Sequence, residues 1–428
     1  MSYKIFILTL ITAGIFFSCS QKMKQSGANS EVMDSLKQVA SSEGFEPFKD
    51  NPVMETGSKG SFDAGALGSM TVVKANGIFH MYYEAWGKRS DKMWDAAEYE
   101  TLQIGHATSK DGIHWKKDPN NPVLEQGDKG DWDATGVWDP YVIYEDGKFK
   151  MWYGGGGGRK PNYGWAYAVS KDGSNFDKKG LIGKGNQSGV EDVHLVHDEE
   201  SGLYYMYYWH GWEGGEDLFY VTSPTETDFN FNEAGIIEIE GDQSFWCKFG
   251  QVVKNDEGWH MFYSNYIPPH GRNSIVRYAT SDDGVHWEAQ NKRLLYGLDA
   301  EVLQVTEDLF MMTYAPENHF DKNDADIRLA FYNGRLSELA SKEPYIKVTE
   351  PNPIEGRKFT ANLGEDGLHR FHFKKLGEVI ITDLGDDENY QFCAYYEQDG
   401  KNVHIKGEGI NMKGIYQEGS FQLKKKSN

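Results

Sequence analysis

Short stretches in which apolar residues alternate with polar or smaller ones recur along the chain in one form, an aromatic opening, a Met in the middle and a closing Tyr. They read Phe79-His-Met-Tyr-Tyr, Phe149-Lys-Met-Trp-Tyr, Tyr204-Tyr-Met-Tyr-Tyr, Trp259-His-Met-Phe-Tyr and Phe310-Met-Met-Thr-Tyr. Period-two runs this rich in aromatics predict strands. The segment Pro122 to Gly154 repeats Pro52 to Glu84 without a gap, so that Asp63 matches Asp133, Gly77 matches Gly147 and Met81 matches Met151. Within it Tyr141-Val-Ile-Tyr, the Asp146-Gly147 pair and Phe149-Lys-Met-Trp-Tyr form a strand, turn and strand, which is a hairpin signal. A third strand ending in a Ser-Lys-Asp-Gly or related turn follows at Ile104, Trp165 and Val276, and a shorter version at Leu218.

Repeats of ~40–55 residues with about four strands each are the signature of propeller blades. The chain predicts an all-β fold, a five-bladed β-propeller over residues 46–345. Phe48-Lys-Asp-Asn-Pro-Val-Met matches the outer strand that begins near Lys117, yet no blade precedes it, and the fifth repeat is weak in its own fourth strand. Residues 46–54 are therefore predicted to pair onto the last blade and close the ring, which removes an exposed edge. The repeat stops at Glu350, and 346–428 read as a small antiparallel β appendage. At the other end Lys4 and the apolar run Ile5–Phe17 form a signal peptide over 1–18, too short to span a membrane. Phe16-Phe17-Ser18-Cys19 reads as a relaxed lipobox, predicting a lipid on Cys19 and a polar tether over 19–45. That makes the bacterial cell envelope the expected location, with membrane contact through the anchor alone.

Composition narrows the partners. Among 428 residues the formal charge is −21, which attracts neither nucleic acid nor anionic lipid. Cys247 and Cys393 have no metal-ligand spacing and read as buried thiols. Glycines 154–158 follow a strand, not the start of a helix, so they do not form a phosphate loop.

In a propeller the first strands of the blades converge on a central funnel. Stacking the repeats on Asp139 aligns Ser69, Asp139, Asp192, Phe249 and Ala300, with Glu191 beside Asp192 and Glu301 beside Ala300. Aspartate is depleted in strands, so two acids at equivalent strand starts suggest chemistry. Carboxylates crowded in one cleft separate in pKa, and that separation assigns acid and base. Trp86, Trp138 and Trp209 lie at strand ends where rings stack on sugars. His194 reads as a polar group lining the funnel or the core, not as a metal ligand.

With Trp138-Asp-Pro-Tyr-Val-Ile in one blade and Glu191-Asp-Val-His-Leu-Val in the next, residues 46 to about 345 resemble the five-bladed propeller glycoside hydrolases, nearest family 43 and its relatives in families 32, 62, 68 and 117. The resemblance implies an exo-acting glycosidase on an oligo- or polysaccharide, with Glu191 as general acid and Asp139 tuning it. Ser69 departs from the family's Asp base. Either Asp63 in the entry loop substitutes, or Asp139 is the base with Asp192 as partner. The resemblance allows a funnel Ca²⁺ and implies no organic cofactor. Glu301, His194, Trp138, Trp86 and Trp209 are expected to touch substrate. A surface sugar-binding propeller without catalysis is the rival reading. A phosphorylase would need a cluster of Arg or Lys in the funnel, for which Arg272 and Lys248 are few.

Overall fold

In the computed structural model each repeat becomes its own antiparallel sheet. The structure describes residues 27–88, 102–156, 163–184, 190–210, 217–240, 247–265, 274–316 and 326–341, and from 354 to 423 chiefly strands. The expected signal segment and Cys19, Arg272, and the side chains of Lys248, Cys247 and Cys393 lie outside the described residues.

Blade one comprises Ala66–Ala75, Ile78–Trp86, Leu102–Ser109 and Lys116–Lys117, and blade two Gly136–Glu145, Lys148–Gly156, Tyr163–Ser170 and Asp177–Leu181. Blade three runs Val190–Asp198, Leu203–His210, Asp217–Ser223 and Gly235–Ile237. Blade four runs Cys247–Asn255, Gly258–Asn265, Ile275–Ser281 and Trp287–Tyr296, with Ile239–Glu240 added in parallel outside. The hairpin turns form as expected: Asn76 and Gly77 take φ of 51° and 80°, Asp146 and Gly147 51° and 73°. Paired positive φ is the turn that matches the twist of flanking strands.

The first strands of the five blades pack on one another in cyclic order, from blade one to blade five and back to one. Five separate apolar clusters fill the five spaces between blades. At their centres lie the methionines of the repeated strand, Met81, Met151, Met206, Met261 and Met312, none of them accessible. Burying each contributes roughly 1.5–3 kcal/mol relative to exposure. The Ser-Lys-Asp-Gly turn is also structural: Ser109, Ser170 and Ser281 each accept a hydrogen bond from the amide of the glycine three residues on. Tyr82 and Tyr207 then donate to the turn carbonyls Gly173 and Gly284 of the following blade.

Blade five has three strands of its own, Leu298–Gln304, Leu309–Ala315 and Arg328–Asn333, and its fourth is Glu46–Pro47. Pairing continues through Phe48 and Val53 onto Leu329 and Ile327, and Asn51 brackets Leu329 with both ends of its side-chain amide. The closing strand lies where the sequence places it.

The tether does not extend to residue 45. Gly27–Val39 is a helix whose Met33 and Leu36 are buried in the apolar cluster between blades five and one. Its polar composition conceals the apolar spacing Val32, Met33, Leu36 and Val39 that seats it. A short helix, Leu336–Ser341, follows the last blade. Residues 358–423 form one seven-stranded antiparallel sheet in sequential order, with a core of Phe371, Phe373, Ile381, Tyr396 and Ile405.

Candidate active site

Every inner strand breaks its ladder near its start, where the pairing register shifts. A bulge at this point re-aims a side chain that regular pleating would send into a blade interface. In blades two, three and five the residue at the break is an aspartate in the left-handed region: Asp139 at φ 46°, Asp192 at 51° and Asp299 at 52°. Such backbone is tolerated by Asp but costs of order 1–3 kcal/mol, and residues held in it cluster at functional sites. The bulge also corrects the alignment of blade five. Glu301 resumes pairing opposite Thr313 as His194 does opposite Tyr207, so Asp299, not Ala300, is the equivalent of Asp139 and Asp192.

These residues line one pocket at the funnel mouth, made by Ser69, Met70, Asp139, Pro140, Asp192, Val193, Gly250, Asp299 and Glu301. Backbone and side chains tie the acids into a chain. Asp139 N–H donates to Glu84 Oε2 at 3.0 Å, Asp192 N–H to Asp139 Oδ2 at 3.1 Å, and Ser69 Oγ donates to Asp192 Oδ1 at 3.4 Å. Four carboxyl groups from three blades therefore share the cavity. No Lys or Arg is among its described lining residues.

One layer deeper, the same register position of each blade is held by Thr71, Tyr141, His194, Gln251 and Glu301, opposite Tyr82, Trp152, Tyr207, Phe262 and Thr313. The first four stitch each blade to the next. Thr71 donates to Pro140 O at 2.7 Å and Tyr141 to Leu195 O at 2.9 Å, His194 bonds the Val252 backbone, and Gln251 Oε1 accepts from Val302 N–H. Glu301 faces the pocket, with Oε1 3.8 Å from His194 Nδ1, beyond hydrogen-bond reach. Burial lowers the His194 pKa to about 3, so the ring is neutral and brings no compensating charge. Burial also pushes the Glu301 carboxyl well above the usual range.

The other expected site residues are elsewhere. Asp63 accepts hydrogen bonds from Lys117 Nζ at 2.5 Å and from Ser61, and Lys117 also donates to Glu55 O. Asp133, Lys178 and Glu125 repeat this clasp in blade two, so the shared aromatic-Asp-Ala motif builds the same turn in both blades, and Asp63 is not among the described residues of the pocket wall. Glu191 is half-buried at the strand start opposite Trp209, outside the pocket lining, because the bulge turns Asp192 inward in its place. Trp138 packs onto Gly154, where an added Cβ would lie 2.4 Å from its indole nitrogen, and Trp86 covers Gly68 likewise. Trp209 belongs to the core between blades three and four. None of the three tryptophans lines the pocket. Among the described residues no group of three or more His, Cys, Asp or Glu is placed to hold a metal ion.

Sequence reasoning missed Asp299 and Glu84. The signal for Glu84 was present: its equivalents in the other blades are Gly154, Trp209, Ser264 and Ala315, so it is the one acid there.

Residues 38–207 match the model of the glycosyl hydrolases family 32 N-terminal domain. A 1,2-beta-oligomannan phosphorylase of Thermoanaerobacter sp. (strain X514) is 26% identical over 160 residues, 37% of this chain. The chain spans about half the length of the curated relatives it matches. Two solved propellers share the fold. One comes from work on the GH130 family of mannoside phosphorylases, which contains glycoside hydrolases that target β-1,2 mannosidic linkages in Candida mannan; it is 17% identical, with a TM-score of 0.53 over 68% of this chain and 94% of that one. The other is the β-1,2-mannobiose phosphorylase from Listeria innocua, 16% identical, with a TM-score of 0.53 over 69% and 98%. The matches support a carbohydrate-active enzyme on a glycoside hydrolase-type propeller. GH130 is not among the families that the sequence motifs resemble.

Proposed function

We propose that this protein hydrolyses a glycosidic bond in the funnel pocket. Cleavage needs a carboxylic acid to protonate the departing oxygen and a carboxylate to activate water or attack the anomeric carbon. The observation that carries this reading is the convergence of Asp139, Asp192, Asp299 and Glu301 from three blades on one cavity. Asp192, held by the Ser69 hydroxyl and turned inward by its bulge, is the carboxylate that acts on water or on the sugar; Asp139 fixes it by accepting its backbone N–H.

Phosphorolysis is the second reading, favoured by the activities named for two relatives. A phosphate nucleophile needs cations around it, and the described lining is acidic. β-1,2-Linked mannosides are the first substrates to try, together with a panel of aryl glycosides. Turnover at the same rate with and without inorganic phosphate, lost in Asp192→Asn and Asp139→Asn, is the expected result. Strict phosphate dependence would establish phosphorolysis instead. Binding without turnover in all three proteins would leave a sugar-binding propeller. Lipid attachment at Cys19 remains part of the proposal, placing the enzyme on the bacterial envelope.

A further inference from the structure

We infer that Glu301, not Glu191, is the proton donor to the glycosidic oxygen, an assignment that rests on the hydrolytic reading. Geometry carries it. Five side chains occupy one register position around the axis, and Thr71, Tyr141, His194 and Gln251 spend their polar atoms on stitching each blade to the next. Glu301 breaks that pattern: it lines the pocket with Asp299 on its own strand and with Ser69, Asp139 and Asp192 from blades one, two and three. A structural acid at this position would be expected to bond the backbone of blade one, as its four counterparts bond theirs.

Its surroundings suit a donor. The side chain is largely, not wholly, shielded from solvent, with no cation beside it in the described pocket wall, next to a neutral imidazole. Desolvation therefore favours the protonated acid. A carboxyl group biased toward its protonated form, beside other carboxyl groups in the same cavity, suits the division into proton donor and acceptor that glycosidic cleavage requires. As the anomeric C–O bond breaks, its electron pair stays on the leaving oxygen, which takes the Glu301 proton and departs as an alcohol. Water adds its hydroxyl to the anomeric carbon and its remaining proton goes to Asp192, from which solvent returns it to Glu301. No oxidant or co-reactant enters.

The test compares two glycosides of the same sugar, one with a poor leaving group such as a second sugar or methanol, one with 2,4-dinitrophenol, which departs without protonation. In Glu301→Gln, kcat/KM for the poor leaving group should fall by about 10²–10⁴-fold, while the dinitrophenyl glycoside loses no more than about tenfold, at an unchanged melting temperature. Glu301→Asp, which keeps a carboxyl one methylene short, should show the same asymmetry at smaller size and stands in if the glutamine variant does not fold. Wild-type turnover with equal losses on both substrates would overturn the donor role alone. Wild-type protein that cleaves neither glycoside overturns hydrolysis and the donor role together.

Discussion

Asp63→Asn separates a structural acid from a catalytic one. The Asp63 carboxylate is almost wholly buried and meets Lys117 Nζ and the Ser61 hydroxyl, while Lys117 is about one-third exposed and keeps the Glu55 carbonyl as a second partner. Breaking a fully buried ion pair costs ~3–5 kcal/mol, largely from the stranded partner. Here the stranded lysine retains water and one carbonyl, so the loss should be smaller, about 2–3 kcal/mol. For a propeller of about 300 residues that is a fall in melting temperature of roughly 3–5 °C. The assay is thermal unfolding beside steady-state kinetics at a temperature where the variant is folded. Asp63→Asn should keep kcat/KM within about threefold, and Lys117→Met should be partly non-additive with it in a double-mutant cycle. Asp139→Asn should do the reverse, losing turnover by about 10²-fold or more with little change in melting, since its role is to hold Asp192. Loss of turnover in Asp63→Asn without any loss of stability would refute this division.

Asn51→Ala removes both hydrogen bonds to Leu329 that fasten the closing strand and should cost about 1–3 kcal/mol, read as a lower denaturation midpoint with an unchanged slope. Leu36→Ala leaves a cavity between the N-terminal helix and blades five and one, and a loss of ~2–5 kcal/mol would mark that helix as part of the propeller; no loss would mark it as tether. His80, lowered to about 4 by burial and by His106, binds fewer protons folded than unfolded, so it contributes stability above its ordinary value of 6.5 that is lost as pH falls toward 4. In His80→Gln the decline in melting temperature across that window should be shallower than in the wild type. Cys19→Ala should abolish metabolic labelling of the protein by palmitate in a bacterial host.

The blades were legible because their chemistry is local. Asp-Gly turns, the Met-centred strands and the Ser-Lys-Asp-Gly turns each carry their structure in a few adjacent residues, and the closing strand showed itself as a repeat without a blade. The pocket was legible only in part. Asp139 and Asp192 stand at the break of the ladder in a gapless or nearly gapless alignment, so stacking the repeats found them. Asp299 escaped because blade five aligns one residue out until the bulge is known. Glu191 looked catalytic by resemblance, but a period of two makes neighbours face opposite ways, and Asp192 holds the inward position. Trp86 and Trp138 were misplaced because the strand residues beneath them, Gly68 and Gly154, lack side chains and let the indoles lie on the sheet, while Trp209 packs between blades three and four. Burial of that kind depends on residues distant in sequence, which a local pattern does not reveal.

The most direct measurement is the fate of solvent oxygen. A β-1,2-linked or other oligosaccharide that the enzyme cleaves is incubated in phosphate buffer made with oxygen-18 water, and the products are weighed by mass spectrometry within the first few turnovers. Hydrolysis by the funnel carboxylates yields free sugar carrying one heavy oxygen, and none in Asp192→Asn; a sugar phosphate without the label would contradict it.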